Sequence, residues 1–109
     1  MITTHVLDVS RGRPAAGVAV VLERRDGTGW STVGRDSTDA DGRATKLFGG
    51  PLAAGQYRLT FDTGAYFAAH GLATLYPSVI IVLDAVAGQT HYHVPLLLSP
   101  FGYSTYRGT

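Results

Sequence analysis

A chain of 109 residues with 45% hydrophobic and only 16% charged residues is long enough for one small domain spanning residues 1–109 and too short for two. Nine basic against eight acidic residues give a net charge of +1, which is neither the dense positive field of a nucleic-acid binder nor an acidic disordered tail. The absence of cysteine excludes disulfides, thiolate nucleophiles and sulfur-ligated metals.

The chain opens MITTHVLDVSRGRP, with neither a basic start nor an apolar run of signal-peptide length, and no later stretch approaches the ~20 apolar residues of a membrane span. The expectation is a soluble cytoplasmic protein with no membrane partner. Thr4–Val9 is the first predicted strand, followed by the breaker cluster Gly12 to Pro14. Val18–Arg24 and Trp30–Gly34 read as the next two, joined through Gly27 to Gly29. Asp39-Ala40-Asp41-Gly42 is a tight-turn sequence in which aspartates can bond their own backbone and glycine can supply positive φ, so that Arg43 emerges at the start of Arg43–Leu47. Gln56–Asp62 follows, and then TGAYFAAHG over Thr63–Gly71. There Thr63 can cap a helix, Tyr66, Phe67 and His70 fall at helical spacing, and Gly71 can end it in a left-handed conformation. Val79–Val86, Thr90–Leu98 and Gly102–Tyr106 complete the pattern. Eight short strands separated by glycine and proline predict an all-β, two-sheet β-sandwich with one short helix.

A charged fraction well under the usual quarter also predicts that another subunit covers part of the surface. By area scaling, the folded chain should expose roughly 5,800 Å² and bury about two-thirds of its unfolded surface.

The histidines are His5, His70, His91 and His93. Alternation along Thr90–Leu98 puts His91, His93, Pro95 and Leu97 on one face and Tyr92, Val94, Leu96 and Leu98 on the other. A strand apolar on both faces is normally covered on both, which sets the imidazoles in a partly dry cleft. Three readings stay open from the residues alone: structural histidines, an acid–base site, or two ligands from His91-x-His93 with a third from His5 in an open zinc site. Asp8 and Asp84 lie in apolar strand segments and read as structural, since buried carboxylates are usually paired. No nucleophile-elbow serine or phosphate-cradling glycine pattern occurs, and Ser99 before Pro100 reads as a turn residue.

Three segments together carry a resemblance: THVLDVSRGRPAAGVAVVLER at the start, TDADGR at 38–43, and HYHVPLLLSPFGYSTYRGT at the end. The chain resembles the transthyretin-related 5-hydroxyisourate hydrolases of urate breakdown over essentially its whole length. Transthyretin itself, a carrier with the same fold, resembles it in VLD-x-x-RG-x-P and LLSP but lacks the histidines and the terminal Tyr-Arg-Gly-Ser signature, which here reads Tyr106, Arg107, Gly108 and Thr109.

The resemblance implies a homotetramer of transthyretin-like eight-stranded sandwiches, with active sites in a channel at the subunit interface. It implies His5, Arg43 and His93 as catalytic residues, and Tyr106, Arg107, Gly108 and Thr109 as the substrate-binding tail. Thr109 stands where the family usually ends in serine, keeping a hydroxyl and a terminal carboxylate. The implied substrate is 5-hydroxyisourate, a small molecule, with no metal, cofactor or nucleic acid. Alternative readings are a non-catalytic carrier using the same channel and a structural zinc-binding sandwich.

Overall fold

All eight predicted strands form, and a ninth of two residues joins them in the computed structural model, which covers residues 1–109. The elements are β1 (Ile2–Asp8), β2 (Arg13–Pro14), β3 (Ala19–Asp26), β4 (Gly29–Ser37), β5 (Arg43–Phe48), β6 (Gly55–Phe61), α1 (Thr63–Ala69), β7 (Val79–Ala85), β8 (Tyr92–Ser99) and β9 (Gly102–Thr105). One sheet runs β4-β3-β6-β7, antiparallel throughout. In the other, β1 pairs in parallel with β8, which pairs antiparallel with β9. The opposite edge of β1 is shared, antiparallel, between β5 at its start and β2 at its end.

Side-chain alternation decides which face of each sheet is dry. Ile2, Val6, Leu96 and Leu98 from the first sheet meet Val20, Leu22, Leu59 and Phe61 from the second, and all eight are at most 1% exposed. Helix α1 closes one end of this core with Phe67 and Tyr66. The exposed surface is 5829 Å², in line with the ~5,800 Å² expected from chain length. No helix is long and apolar enough to cross a membrane.

Several boundaries differ from those predicted. Asp62, not Thr63, caps α1: its carboxylate accepts the Ala65 N–H at 3.2 Å, while Thr63 is the first helical residue and is buried. Gly71 ends the helix at φ +68°, as expected. Strand β4 continues through Arg35 and Asp36 to Ser37, because a bulge against Leu22 and Glu23 absorbs an extra residue at Val33. Strand β8 starts at Tyr92, which leaves His91 just before it, and β9 stops at Thr105, which leaves Tyr106 in the tail.

The two strand aspartates part ways. Asp8 is fully buried and accepts from Ser10 Oγ at 2.6 Å, the Arg11 N–H at 3.1 Å and the Tyr66 hydroxyl at 2.7 Å. Burial pushes its pKa up, but these hydrogen bonds and the Arg11 charge outweigh it and leave the carboxyl below its ordinary 3.8. Asp84 is exposed on β7, so no burial cost arises there.

Candidate active site

The site is built by register. Cross-strand pairing sets Arg43 of β5, His5 of β1 and Pro95 of β8 in one row, with Thr3 and His93 in the next. Residues opposite one another point to the same side of a sheet, and here that is the face turned away from the core.

The Asp39–Gly42 turn delivers Arg43 to this row. Asp39 accepts from the N–H groups of Asp41 at 2.9 Å and Arg43 at 3.0 Å, and Gly42 takes φ +78°. A Cβ on Gly42 would run into the Val6 carbonyl and Pro14, so only glycine lets the turn dock on β1, where the Gly42 carbonyl accepts the Val6 N–H at 2.7 Å. Asp39 is held below its ordinary carboxyl pKa, first by the Arg43 N–H.

The C-terminal tail closes the other side. The Gly108 N–H donates to the His93 carbonyl at 2.8 Å. A Cβ at Gly108 would collide with the His93 ring and press on Pro95, so glycine here lets the backbone lie flat against the imidazole. Arg107 turns its guanidinium over the Tyr92 ring, 4.9 Å from the centroid. A cavity of about 350 Å³ results, lined by His5, Arg43, His93, Tyr106, Gly108 and Thr109 among others. A second of about 290 Å³ adjoins it through Arg43, His93 and Thr109 and reaches Thr3 and His91.

Three hydrogen bonds constrain the imidazoles. His5 Nε2 lies 2.8 Å from the Asp41 carbonyl; a carbonyl only accepts, so Nε2 carries a proton and Nδ1 of the neutral ring is the bare acceptor. His93 Nδ1 lies 2.8 Å from Thr3 Oγ1, which is also 3.1 Å from His91 Nε2. His93 Nε2 has no protein partner. Burial lowers the His93 pKa below its ordinary 6.5, and the charges of Arg43, His5 and His91 lower it further. An imidazole kept neutral beside a guanidinium can take a proton from water while the guanidinium meets a developing anion.

The predicted residues His5, Arg43, His93, Tyr106, Arg107, Gly108 and Thr109 therefore come together in one cavity. His91 stands at its edge, and His70 shares no cavity with them, its Nδ1 bonded to the Tyr66 carbonyl at 2.8 Å. No three histidine or acidic side chains converge as a metal-holding group. A larger groove of about 550 Å³ beside Arg11, Arg13, Tyr66 and His70 offers no pair of free acid–base groups. Residue reasoning overlooked Thr3, although alternation from His5 puts it on the same face.

A family model described as HIUase/Transthyretin family matches residues 2–108. The chain belongs to this family. The 5-hydroxyisourate hydrolase of Caulobacter vibrioides is 49% identical over 112 residues, covering 99% of this chain and 97% of its own. Among solved structures, the Klebsiella pneumoniae 5-hydroxyisourate hydrolase superposes with a TM-score of 0.88 at 40% identity, covering 99% of this chain and 98% of its own. Sea bream transthyretin, solved with thyroxine, superposes with a TM-score of 0.91 at 34% identity, covering 99% and 94%. Family membership thus spans hydrolases and a hormone-binding protein on one sandwich, and the site residues must discriminate between them.

Proposed function

We propose that the protein is an enzyme of urate degradation that hydrolyses 5-hydroxyisourate to 2-oxo-4-hydroxy-4-carboxy-5-ureidoimidazoline. The observation that carries this reading is the convergence of His5, Arg43 and His93 in one cavity beside the C-terminal tail. Relatives at 49% and 44% identity over nearly the whole chain bear the hydrolase name, which supports the same substrate.

Ring opening requires a water oxygen to bond to the ring carbonyl carbon, the carbon–nitrogen bond to break, and the departing nitrogen to gain a proton. His93 Nε2 takes the water proton as general base, its neutral form favoured by burial and by Arg43. Arg43 presents planar donors to the oxyanion. His5, anchored through Nε2–H on the Asp41 carbonyl, keeps Nδ1 to accept from the water and orient it, and the proton that His93 Nε2 has taken from the water passes on to the departing nitrogen. The Thr109 hydroxyl orients the ring, with Tyr106, Arg107 and Gly108 forming that wall. The assembly is a homotetramer with sites between subunits, and it works in the cytoplasm.

A carrier reading draws on the likeness to sea bream transthyretin. Against it, imidazole and guanidinium groups and a polar tail occupy the cavity a hydrophobic ligand would need. An ultraviolet assay with freshly generated 5-hydroxyisourate decides. The native chain should consume it, and His5→Ala, Arg43→Ala and His93→Ala should each lose about a hundredfold or more in turnover, the scale of one acid–base or electrostatic group. A folded His93→Ala protein with near-native turnover would remove His93 from the mechanism, and an inactive native chain would favour the carrier.

A further inference from the structure

We propose that Thr3 is a positioning residue that sets the tautomer of His93, accepting from His93 Nδ1–H and donating to His91 Nε2. The proposal rests on reading His93 as the general base and adds what holds that base in its working form.

Thr3 Oγ1 sits 2.8 Å from His93 Nδ1 and 3.1 Å from His91 Nε2, and the residue is 8% exposed. A hydroxyl has one proton to give. Both contacts therefore hold as hydrogen bonds only if at least one of the two imidazole nitrogens is itself the donor. If His91 Nε2–H were the only imidazole donor, Thr3 would give its proton to His93 Nδ1, and neutral His93 would carry its own on Nε2 and have no basic nitrogen for water. With His93 Nδ1–H as donor, Nε2 is bare, faces no protein partner, and is free to act as base.

The second arrangement also survives the reaction. When Nε2 takes a proton, His93 becomes an imidazolium with both nitrogens as donors, and Nδ1–H already points at a hydroxyl able to accept it. No rotor has to turn over during proton transfer, which is the preorganisation that makes a fixed tautomer effective. Thr3 also donates onward to His91 Nε2, so the lone pair offered to His93 is strengthened by the chain of bonds. Strand register supplies the geometry: Thr3 and His93 are direct cross-strand partners in the parallel β1–β8 pair, and His91 lies two residues before His93.

The proposal is tested on protein labelled with 15N-histidine, whose ring correlations report which nitrogen is protonated without any substrate. In the native protein near neutral pH, His93 should carry its proton on Nδ1; a proton on Nε2 would overturn the proposal. Thr3→Val, which removes only the hydroxyl, should release the tautomer preference and lower kcat by about tenfold or more with little change in KM, a share of what a general base contributes. Thr3→Ser should restore both the tautomer and a kcat within about threefold of native. A folded Thr3→Val protein with native kcat would also overturn it. Should that variant not fold, the native spectrum still decides. Retained turnover in His93→Ala would sink the base assignment instead, and it would leave the tautomer spectrum unaffected, so the two failures are separable.

Discussion

In the proposed mechanism His93 is the residue on which the chemistry turns, and its environment sets the expected pH response. Burial first, then the positive charges of Arg43, His5 and His91, holds its pKa below the ordinary 6.5. Arg107 and Thr109 of the tail share its cavity. Because the folded-state pKa is lowered, the imidazole stays neutral further into acid than a free histidine, and activity falls only once the pH drops through that lowered value. A profile of kcat/KM against pH should therefore show an acid limb with its inflection below 6.5; a flat profile from about pH 5 to 9 would argue against a histidine base. The same sign applies to stability: the folded state resists the proton, so acid destabilises it below the unfolded-state pKa. Gly108 acts at the same scale by a different route. Since a Cβ there would collide with the His93 ring and Pro95, Gly108→Ala should displace the tail and lower kcat/KM by about tenfold or more, a misplacement effect. Its unfolding free energy should shift by less than about 1 kcal/mol, because no core residue is touched. Urea titration beside the rate assay separates the two effects.

Strand β1 does most at the scale of the elements. It pairs with β2, β5 and β8, and its alternation divides the labour: Ile2, Val6 and Asp8 turn to the core, Thr3, His5 and Leu7 to the cavity. Asp8→Ala would leave Ser10, the Arg11 N–H and the Tyr66 hydroxyl without their acceptor. That change should cost about 3 kcal/mol of stability with the cavity residues intact, measurable as a lower urea midpoint. In the native protein the contribution is complete above pH 3.8 and is lost as acid carries the carboxyl through its lowered pKa. Period-two alternation made β8 legible from residues alone, because Tyr92, Val94, Leu96 and Leu98 form one continuous apolar face. Strand β2 was invisible, since two residues carry no period. The end of β4 was hidden because an edge strand with exposed Arg35 and Ser37 has no dry face to betray it. Asp62 and Thr63 are both capping residue types, and only backbone geometry shows which one precedes the first turn. The roles of His5 and Arg43 as neighbours could not come from spacing, because the β1–β5 pairing that joins them is long-range. Resemblance to a family supplied them before any geometry did.

The whole molecule, taken as a single chain, is incomplete at its chemistry. Arg43, Tyr106 and Thr109 are exposed, the cavity is open, and the edge strand β7 shows Ile80 and Val82 more than half exposed. Unprotected edges of this kind invite pairing with another chain, and a cavity needs further walls before it can exclude water. The proposed homotetramer would meet both needs only with two kinds of contact, β7 edges pairing between chains and outer faces of the β1–β8 sheets meeting across the cavity, consistent with a charged fraction of only 16%. The tail then becomes a wall of the interface cleft. Tyr106 to Thr109 follow the last strand and fill no part of the core; Gly108 spends one backbone bond on His93, and Arg107 stacks on Tyr92 at the margin. Deleting these four residues should therefore leave the sandwich folded while turnover falls by about a hundredfold or more, whereas Thr109→Ser should stay within a few-fold of native because the hydroxyl persists. Circular dichroism, sedimentation and the rate assay on the shortened chain test this together. A fully active truncation would free the tail from any role, and a native protein that is active as a monomer would show that one chain encloses the reaction by itself.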